Sequence, residues 1–349
     1  MDSPLLRRRR VLGLAGAVVA AAVGLSACGG GSTSSSAGGS SGAAASATTL
    51  NVVGFAVIKA AYDELGTAFA ATDAGKGVSF KGSYGASGAQ SRAVIAGQKA
   101  DVVALSLTPD VDNIAKAGLV DESWKTGPAK GIVSHSVVVI AFRKGNPKGI
   151  KGWADLAKPG VGIVTADPGT SGSAKWNLLA AYSQALGASK DEAAAKTYLT
   201  GFVKNVVSWN DSGRTATDAF VKGTGDVLIS YENEAIAARA AGVELDYLVP
   251  DTTVLIENPA AVTKAAPPQA KTFLDFVASA PGQKILGGKG FRPVDESVTV
   301  SGVKGANDEA NPFPKVANLV TVESLGGWSA VNKSLFDKDN GLVAQLRKL

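Results

Sequence analysis

Thiol and imidazole side chains are almost absent from this sequence, which has one cysteine, Cys28, and one histidine, His135. A disulfide needs two cysteines and a structural zinc site needs several cysteine or histidine ligands, so neither is expected. A nucleophilic Ser–His or Cys–His site would have to use His135 alone. Because His135 lies in the apolar stretch 132–138, we predict a structural histidine within a strand. We expect no metal, no cofactor and no catalytic residue.

The excess of one sign of charge is also small, because the sequence has 35 Lys and Arg residues and 30 Asp and Glu residues. Four of the basic residues form the run 7–10, and without residues 1–27 the balance is 31 to 29. The sequence shows no clustered basic face, so nucleic acid is not an expected partner. A nucleotide-binding P-loop is missing as well, since the nearest pattern, residues 282–290, has the wrong spacing.

The N-terminal region is typical of an export signal. The basic run 7–10 precedes an apolar run, 11–26, that ends in small residues and is too short for a membrane span. The sequence LSAC, residues 25–28, resembles the lipobox of bacterial lipoproteins, in which the cysteine is lipidated. We predict a signal peptide at 1–27, lipidation at Cys28 and a flexible tether of Gly, Ser and Ala at 28–48. The exported chain would be anchored to the outer face of the cytoplasmic membrane or lie in the periplasm, by a general secretory or twin-arginine route.

Three apolar, strand-like runs are each followed by a short loop of Gly, Ser and Thr and then by a helical pattern. The predicted helices cover residues 89–95, 174–186 and 215–222. Apolar residues recur at helical spacing in the second one: Trp176, Leu179, Ala180 and Leu186. The pairs Ser87/Gln90 and Thr215/Asp218 have the spacing of helix caps.

These loops have the composition of an anion site. The first N–H groups of a helix are unpaired and carry partial positive charge, so an anion can bind there without a counter-cation. Glycine permits close approach of the backbone, and hydroxyl groups add donors. An ordinary strand-to-helix turn has the same composition, so the pattern alone leaves both interpretations open. The nearest acidic residues, Asp167 and Asp211, are expected to cap turns.

Longer strings around the loops closely resemble the bacterial sulfate-binding proteins, the solute receptors of sulfate ABC importers. The matching strings are SYGASGAQSRAV (83–94), ADVV (100–103), RKGNPK (143–148), TSGSAKWN (170–177) and GDVLISYENEA (225–235). FRP (291–293) and GGW (326–328) resemble C-terminal landmarks of that family. The resemblance extends from about residue 49 to the end of the chain.

The resemblance implies an α/β chain with the two-lobed periplasmic-binding-protein (type II) fold, in which each lobe is a mixed sheet flanked by helices. One lobe would comprise 49–135 plus 246–349 and the other 136–245, with sulfate between them. The family's partners are a membrane permease and a separate ATPase, and a monomeric receptor is implied.

The resemblance also implies the sulfate-binding residues. They are Ser87, Gly88, Ser171, Gly172, Ser173, Gly213, Arg214 and Tyr231. Three departures from the family affect this set. Many members have Trp where Tyr231 stands, the loop 211–217 is one residue shorter than usual, and the segment 53–59 lacks the polar loop found in many members. The choice between Gly213 and Arg214 therefore stays open.

Other functions remain possible from sequence. The same fold would suit thiosulfate or a larger tetrahedral oxyanion such as molybdate. A surface hydrolase would use Glu232 or Glu234 as carboxylates, although these residues also fit the first turn of a helix at 233–241. A lipid-anchored adhesin is a third alternative, for which no repeats are seen.

Overall fold

The computed structural model describes residues 47–348. The predicted signal peptide, Cys28 and the tether up to residue 46 lie outside this range. Within it, no helix is both long enough and apolar enough to span a bilayer. The first strand begins at Thr48, the last residue of the predicted tether.

Ten strands form one mixed sheet in the described part of the chain. They are β1 Thr48–Phe55, β2 Val78–Gly85, β3 Val102–Ala104, β4 Ile132–Arg143, β5 Ile163–Ala166, β6 Val206–Asn210, β7 Val227–Tyr231, β8 Leu245–Leu248, β9 Thr252–Val262 and β10 Asn318–Val320. The order across the sheet is β2-β1-β3-β9-β4-β7-β5-β6, with β8 beside β4 and β10 beside β9.

Helices cover the sheet and, in both halves, follow the strands in alternation. They are α1 Lys59–Ala70, α2 Ser87–Ile95, α3 Thr108–Lys116, α4 Trp153–Leu156, α5 Gly172–Leu186, α6 Glu192–Lys204, α7 Gly213–Val221, α8 Glu232–Ala240, α9 Pro268–Ala278, α10 Ala280–Gly288, α11 Gly327–Val331 and α12 Leu342–Leu346. This alternation of strands and helices confirms the predicted α/β class.

Two long strands join the halves of the sheet. β4 pairs antiparallel with β9 through residues 132–137 and with β7 through residues 138–142. β9 in turn pairs with β3 through residues 260–262. The centre of β4, residues 137–141, is fully buried and entirely apolar, as expected for a strand covered on both faces.

His135 lies in β4, as predicted, and exchanges two backbone hydrogen bonds with Arg292, at 2.9 and 2.8 Å. Burial lowers the pKa of His135 to about 4, and the nearby Arg292 charge lowers it further in the same direction. The imidazole is therefore neutral at pH 7.

The three predicted helices each begin two residues earlier than expected. α2 begins at Ser87 and its N-cap is Ala86, which makes no side-chain cap, so the predicted Ser87/Gln90 box is wrong. The cap of α7 is Ser212, whose side chain and that of Thr215 form a capping box, so the Thr215/Asp218 cap is also wrong. α5 begins at Gly172. The loop residues Ser87, Gly172 and Gly213 are thus first-turn residues of helices.

Candidate functional site

Helices α2, α5 and α7 begin at one small void that lies between their first turns. Its walls contain no charged side chain. The lining residues are Phe55, Ala56, Val57, Gly85, Ala86, Ser87, Ser106, Ser171, Gly172, Ser173, Ser212 and Gly213. The structure therefore brings five of the predicted site residues together: Ser87, Ser171, Gly172, Ser173 and Gly213.

Unused backbone donors are concentrated at these helix ends. Within residues 47–348, the N–H groups of Gly172, Ser173 and Gly213 have no hydrogen-bond acceptor. The N–H of Ser171 is different, because it donates to the carbonyl of Asp167 at 2.9 Å. Its hydroxyl has no protein partner in the same range, so that group, rather than the backbone, is what Ser171 offers to the void.

Glycine is required at two of these positions because the chain segments lie very close together. A Cβ on Gly172 would lie 2.6 Å from Ser106 Oγ, and one on Gly213 would lie 2.6 Å from Ser173 Oγ. Both separations are well below a van der Waals contact, so a larger residue would push the helix ends apart.

The Ser87 hydroxyl is already engaged with protein groups. It donates to Asp110 Oδ2 at 2.6 Å and accepts the N–H of Ser106 at 2.9 Å. Burial raises the pKa of Asp110, and the Ser87 hydrogen bond and the charges of Lys175 and Arg92 partly offset this. Ser87 therefore presents its backbone to the void, while its side chain connects Asp110 to Ser106.

Tyr231 stands behind the void rather than on its wall. Its side chain is fully buried, and its hydroxyl lies 2.6 Å from Ser106 Oγ, which does line the void. Burial raises the pKa of the Tyr231 phenol, while the hydroxyls of Ser106 and Ser173 lower it by less. The phenol is therefore protonated at neutral pH.

Two other predicted site residues also lie outside the lining. The Arg214 guanidinium forms an ion pair with Glu234 at 2.6 Å, so it is not directed at the void. Gly88 follows Ser87 in the first turn of α2, where a Cβ would contact the Thr170 carbonyl at 3.1 Å. Of the open pair Gly213 and Arg214, it is Gly213 that forms part of the wall.

The acidic residues nearest the loops have separate roles. Asp167 Oδ1 accepts the N–H of Gly169 at 2.7 Å, as expected for a turn cap, and its carboxylate binds Arg347 at 2.6 Å. Asp211 is exposed, and its carboxylate accepts no hydrogen bond from the described residues, so its predicted capping role is wrong. Neither carboxylate lines the void.

Glu232 and Glu234 are both fully buried in the first turn of α8, one residue earlier than expected. Glu232 binds Arg292 through both carboxylate oxygens, at 2.6 and 3.0 Å. Glu234 binds Arg214 and accepts the hydroxyl of Thr217 at 3.0 Å. Burial raises the pKa of each carboxyl and its Arg partner lowers it. Both carboxylates thus serve as buried ion-pair partners.

The sequence interpretation missed Ser106, Ser212 and the apolar segment 55–57 as parts of the wall. The cap spacing from Ser212 to Thr215 was a usable signal for one of them. No sequence signal pointed to Ser106, because it follows β3 and reaches the void only through the packing of the two halves of the sheet.

Comparisons with known proteins agree with this architecture. A family model described as bacterial extracellular solute-binding protein matches residues 50–292. The chain is 40% identical to a sulfate-binding protein of Synechococcus elongatus, over 82% of this chain and 83% of that one. Identity to a sulfate-binding protein of Escherichia coli is 36%, over 82% and 89%. A thiosulfate-binding protein of Pseudomonas aeruginosa is 33% identical, over 84% and 90%.

Solved structures of solute-binding proteins also align with this chain. The sulfate-binding protein SubI of Mycobacterium tuberculosis aligns with a TM-score of 0.78 and 42% identity, over 83% of this chain and 100% of that one. A periplasmic thiamin binding protein aligns at a TM-score of 0.61 with 18% identity, covers 82% of this chain and 94% of that one, and supports the fold alone. The chain has the two-lobed periplasmic-binding-protein fold and belongs to the bacterial extracellular solute-binding family, in the group that includes the sulfate-binding proteins.

Proposed function

We propose that this chain is an extracytoplasmic receptor that binds sulfate in the void and delivers it to the permease of an ABC importer. The observation that supports this most directly is the meeting of three helix N-termini at a small void whose wall has hydroxyls and free N–H groups but no charged side chain. Such a wall stabilises a bound anion through helix dipoles and hydrogen-bond donors.

The free energy available from these donors is of the size that binding needs. A micromolar receptor needs about 8 kcal/mol. Hydrogen bonds to a charged group contribute roughly 1.5–3 kcal/mol each, and each helix end adds roughly 0.3–1 kcal/mol. Five or six such bonds and three helix ends therefore supply roughly 8–21 kcal/mol, from which the costs of desolvation and of ordering the lobes are subtracted.

The same wall favours sulfate over phosphate. Sulfate carries no proton at neutral pH, whereas phosphate retains at least one, which needs an acceptor. A wall of donors would leave that proton unpaired in a buried site, which is costly. We therefore expect phosphate to bind much more weakly than sulfate.

Lobe closure is part of the proposal. The first lobe, 49–135 plus 246–349, would contribute the wall residues from Phe55 to Ser106, and the second, 136–245, those from Ser171 to Gly213. β4 and β9 run between the two parts and would act as the hinge. Closure over sulfate would create the surface that the permease recognises, and a separate ATPase would power transport.

The cellular setting follows from the N-terminal sequence. Lipidation of Cys28 would anchor a monomeric receptor to the outer face of the membrane, with the predicted tether, which starts at Cys28 and ends before the strand at Thr48, as the connection. We propose a binding protein rather than an enzyme, since the relatives above are named for binding. Thiosulfate is the second candidate ligand, because a thiosulfate-binding protein is 33% identical.

Isothermal titration of the chain without residues 1–28, exhaustively dialysed, tests this proposal. Sulfate, thiosulfate, molybdate and phosphate are titrated in parallel, and Ser171→Ala is expected to weaken sulfate binding about tenfold or more. Tight one-to-one binding of sulfate without heat from phosphate supports the proposal. No heat with sulfate but heat with another anion would mean that the other anion is the ligand.

A further inference from the structure

We propose that the hydroxyl of Ser106 donates a hydrogen bond directly to the bound anion, and that Tyr231 is the positioning residue that fixes the direction of that hydroxyl. This inference rests on the proposed function of the void as an anion site. It concerns a contact that neither the junction pattern nor the resemblance assigned.

Hydrogen bonds hold the backbone of Ser106 on both sides of the peptide, so only its hydroxyl is left to contact a ligand. Its N–H donates to Ser87 Oγ at 2.9 Å, and its carbonyl accepts the indole N–H of Trp176 at 3.0 Å. The amide of Asn258 approaches the same carbonyl at 3.5 Å. With its backbone engaged and no exposed surface, Ser106 can offer only its hydroxyl to the void.

Tyr231 sets the direction of that hydroxyl. The two oxygens are 2.6 Å apart, so one hydroxyl donates to the other. A phenol, with an ordinary pKa near 10, is a better donor than an alcohol, and burial of Tyr231 keeps its proton on the oxygen. The Ser173 hydroxyl donates to the phenol oxygen, so Tyr231 donates its own proton to Ser106 Oγ, and the Ser106 hydrogen turns away from it. Ser106 lines the void, with its Oγ next to Gly172, so the inference directs that hydrogen toward the void.

The arrangement has a consequence for selectivity. While Tyr231 donates to Ser106, the Ser106 hydroxyl presents a hydrogen to the anion and adds to the donor-only wall. Without the phenol, the same hydroxyl is free to rotate and to accept a proton from the ligand. Removing the Tyr231 hydroxyl should therefore improve phosphate binding relative to sulfate, an effect that loss of packing would not produce.

A double-variant cycle with Ser106→Ala and Tyr231→Phe tests the inference by isothermal titration of the chain without residues 1–28. Ser106→Ala is expected to weaken sulfate binding about tenfold to a hundredfold, as for a lost bond to a charged group. Tyr231→Phe alone should cost less, about threefold to tenfold, and should lower the ratio of sulfate to phosphate affinity. The double variant should bind sulfate nearly as Ser106→Ala does, because Tyr231 acts mainly through Ser106 and touches only one other hydroxyl of the wall, that of Ser173.

Ser183→Ala is the matched control, since Ser183 is a buried serine of α5 whose hydroxyl has no partner in the described chain and does not line the void. Thermal unfolding without ligand shows whether each variant is folded, and Tyr231→Phe with its unchanged ring provides a conservative second variant. Normal sulfate affinity in Ser106→Ala, or fully additive losses in the double variant, would overturn the inference. A wild-type chain that does not bind sulfate would instead reject the proposed function.

Discussion

Gly172 matters to the site because it has no side chain. A Cβ at this position would lie 2.6 Å from Ser106 Oγ and 2.9 Å from Leu107 Cγ, at the point where α5 begins. We predict that Gly172→Ala moves the end of α5 away from the void and weakens sulfate binding about tenfold to a hundredfold. This range corresponds to the roughly 1–3 kcal/mol that overpacking usually costs.

Gly288→Ala is the matched control for that variant. Gly288 is the last residue of α10, and a Cβ there would contact nothing within 4 Å. Isothermal titration of both variants should show unchanged sulfate affinity in Gly288→Ala. Equal affinities in the two variants would mean that the close approach at Gly172 is not needed for binding.

His135 is expected to make stability depend on pH. Its pKa is about 4 in the folded chain, below the ordinary value of 6.5, so between these values the unfolded chain takes up a proton that the folded chain does not. Stability therefore falls as pH falls through this window. From pH 7 to pH 5 the loss due to His135 should be about 1–2 kcal/mol.

Urea unfolding of the wild type and His135→Gln at both pH values measures this effect. The variant has no imidazole to protonate, so it should lose less stability between pH 7 and pH 5 than the wild type. The neighbouring charged groups, Arg292 and Glu257, are present in both chains and cancel in the comparison. Identical losses would show that His135 is not held neutral by the fold.

The sequence could predict a site residue only where its role depends on residues next to it in the chain. Ser171, Gly172, Ser173 and Gly213 lie in short segments that resemble the sulfate-binding proteins, and that resemblance implied them although the helix starts were placed two residues late. The position of Tyr231 behind Ser106 depends on packing between β7 and the loop after β3, which are distant in sequence. No local pattern contains that information, so Ser106 was missed.

At the scale of elements, the helices were predicted in the right places but with late starts. The helical spacing of apolar residues located the body of α5, whose Trp176 and Leu179 are fully buried. The starts were late because glycine and serine were assigned to loops. In α5 and α7 these residues form the first turn, where small side chains leave the N–H groups accessible.

The C-terminal segment is expected to influence the anion site through Arg347. Its guanidinium binds the carboxylate of Asp167 through two hydrogen bonds, at 2.6 and 3.2 Å, and lies 4.7 Å from the Trp209 ring centre. Asp167 also accepts the N–H of Ser171, so the ion pair anchors the loop that precedes α5. It also neutralises the carboxylate of the residue whose carbonyl holds the Ser171 N–H.

Removing this ion pair should weaken sulfate binding modestly. Because the pair is partly exposed, it is worth at most about 1 kcal/mol, and Arg347→Ala should raise the sulfate Kd about twofold to fivefold. If neutralisation is the cause, adding Asp167→Asn to Arg347→Ala should restore most of the affinity in an isothermal titration. A double variant as weak as Arg347→Ala would indicate that Arg347 acts by holding the loop in place.

For the whole molecule, the resemblance to the sulfate-binding proteins predicted the fold class, but not the order of the strands. The C-terminal segment is one example. Trp328 lies 4.8 Å from Trp176 of α5, between ring centres, although it was assigned to the lobe opposite α5. Its position depends on contacts formed across more than a hundred residues of sequence, which no short pattern records.

Closure of the two proposed lobes is the prediction that applies to the whole molecule. The void is walled by residues 55–106 on one side and 171–213 on the other, so an anion bound there holds both sides together. Without the anion, free N–H groups and dipoles of like orientation face each other with no partner, and the open form should be favoured. Small-angle scattering should therefore show a smaller radius of gyration with sulfate than without it. Gly172→Ala, which weakens the site without touching the β4 and β9 crossing, should stay expanded at sulfate concentrations that close the wild type. Equal dimensions of the wild type with and without sulfate would contradict closure.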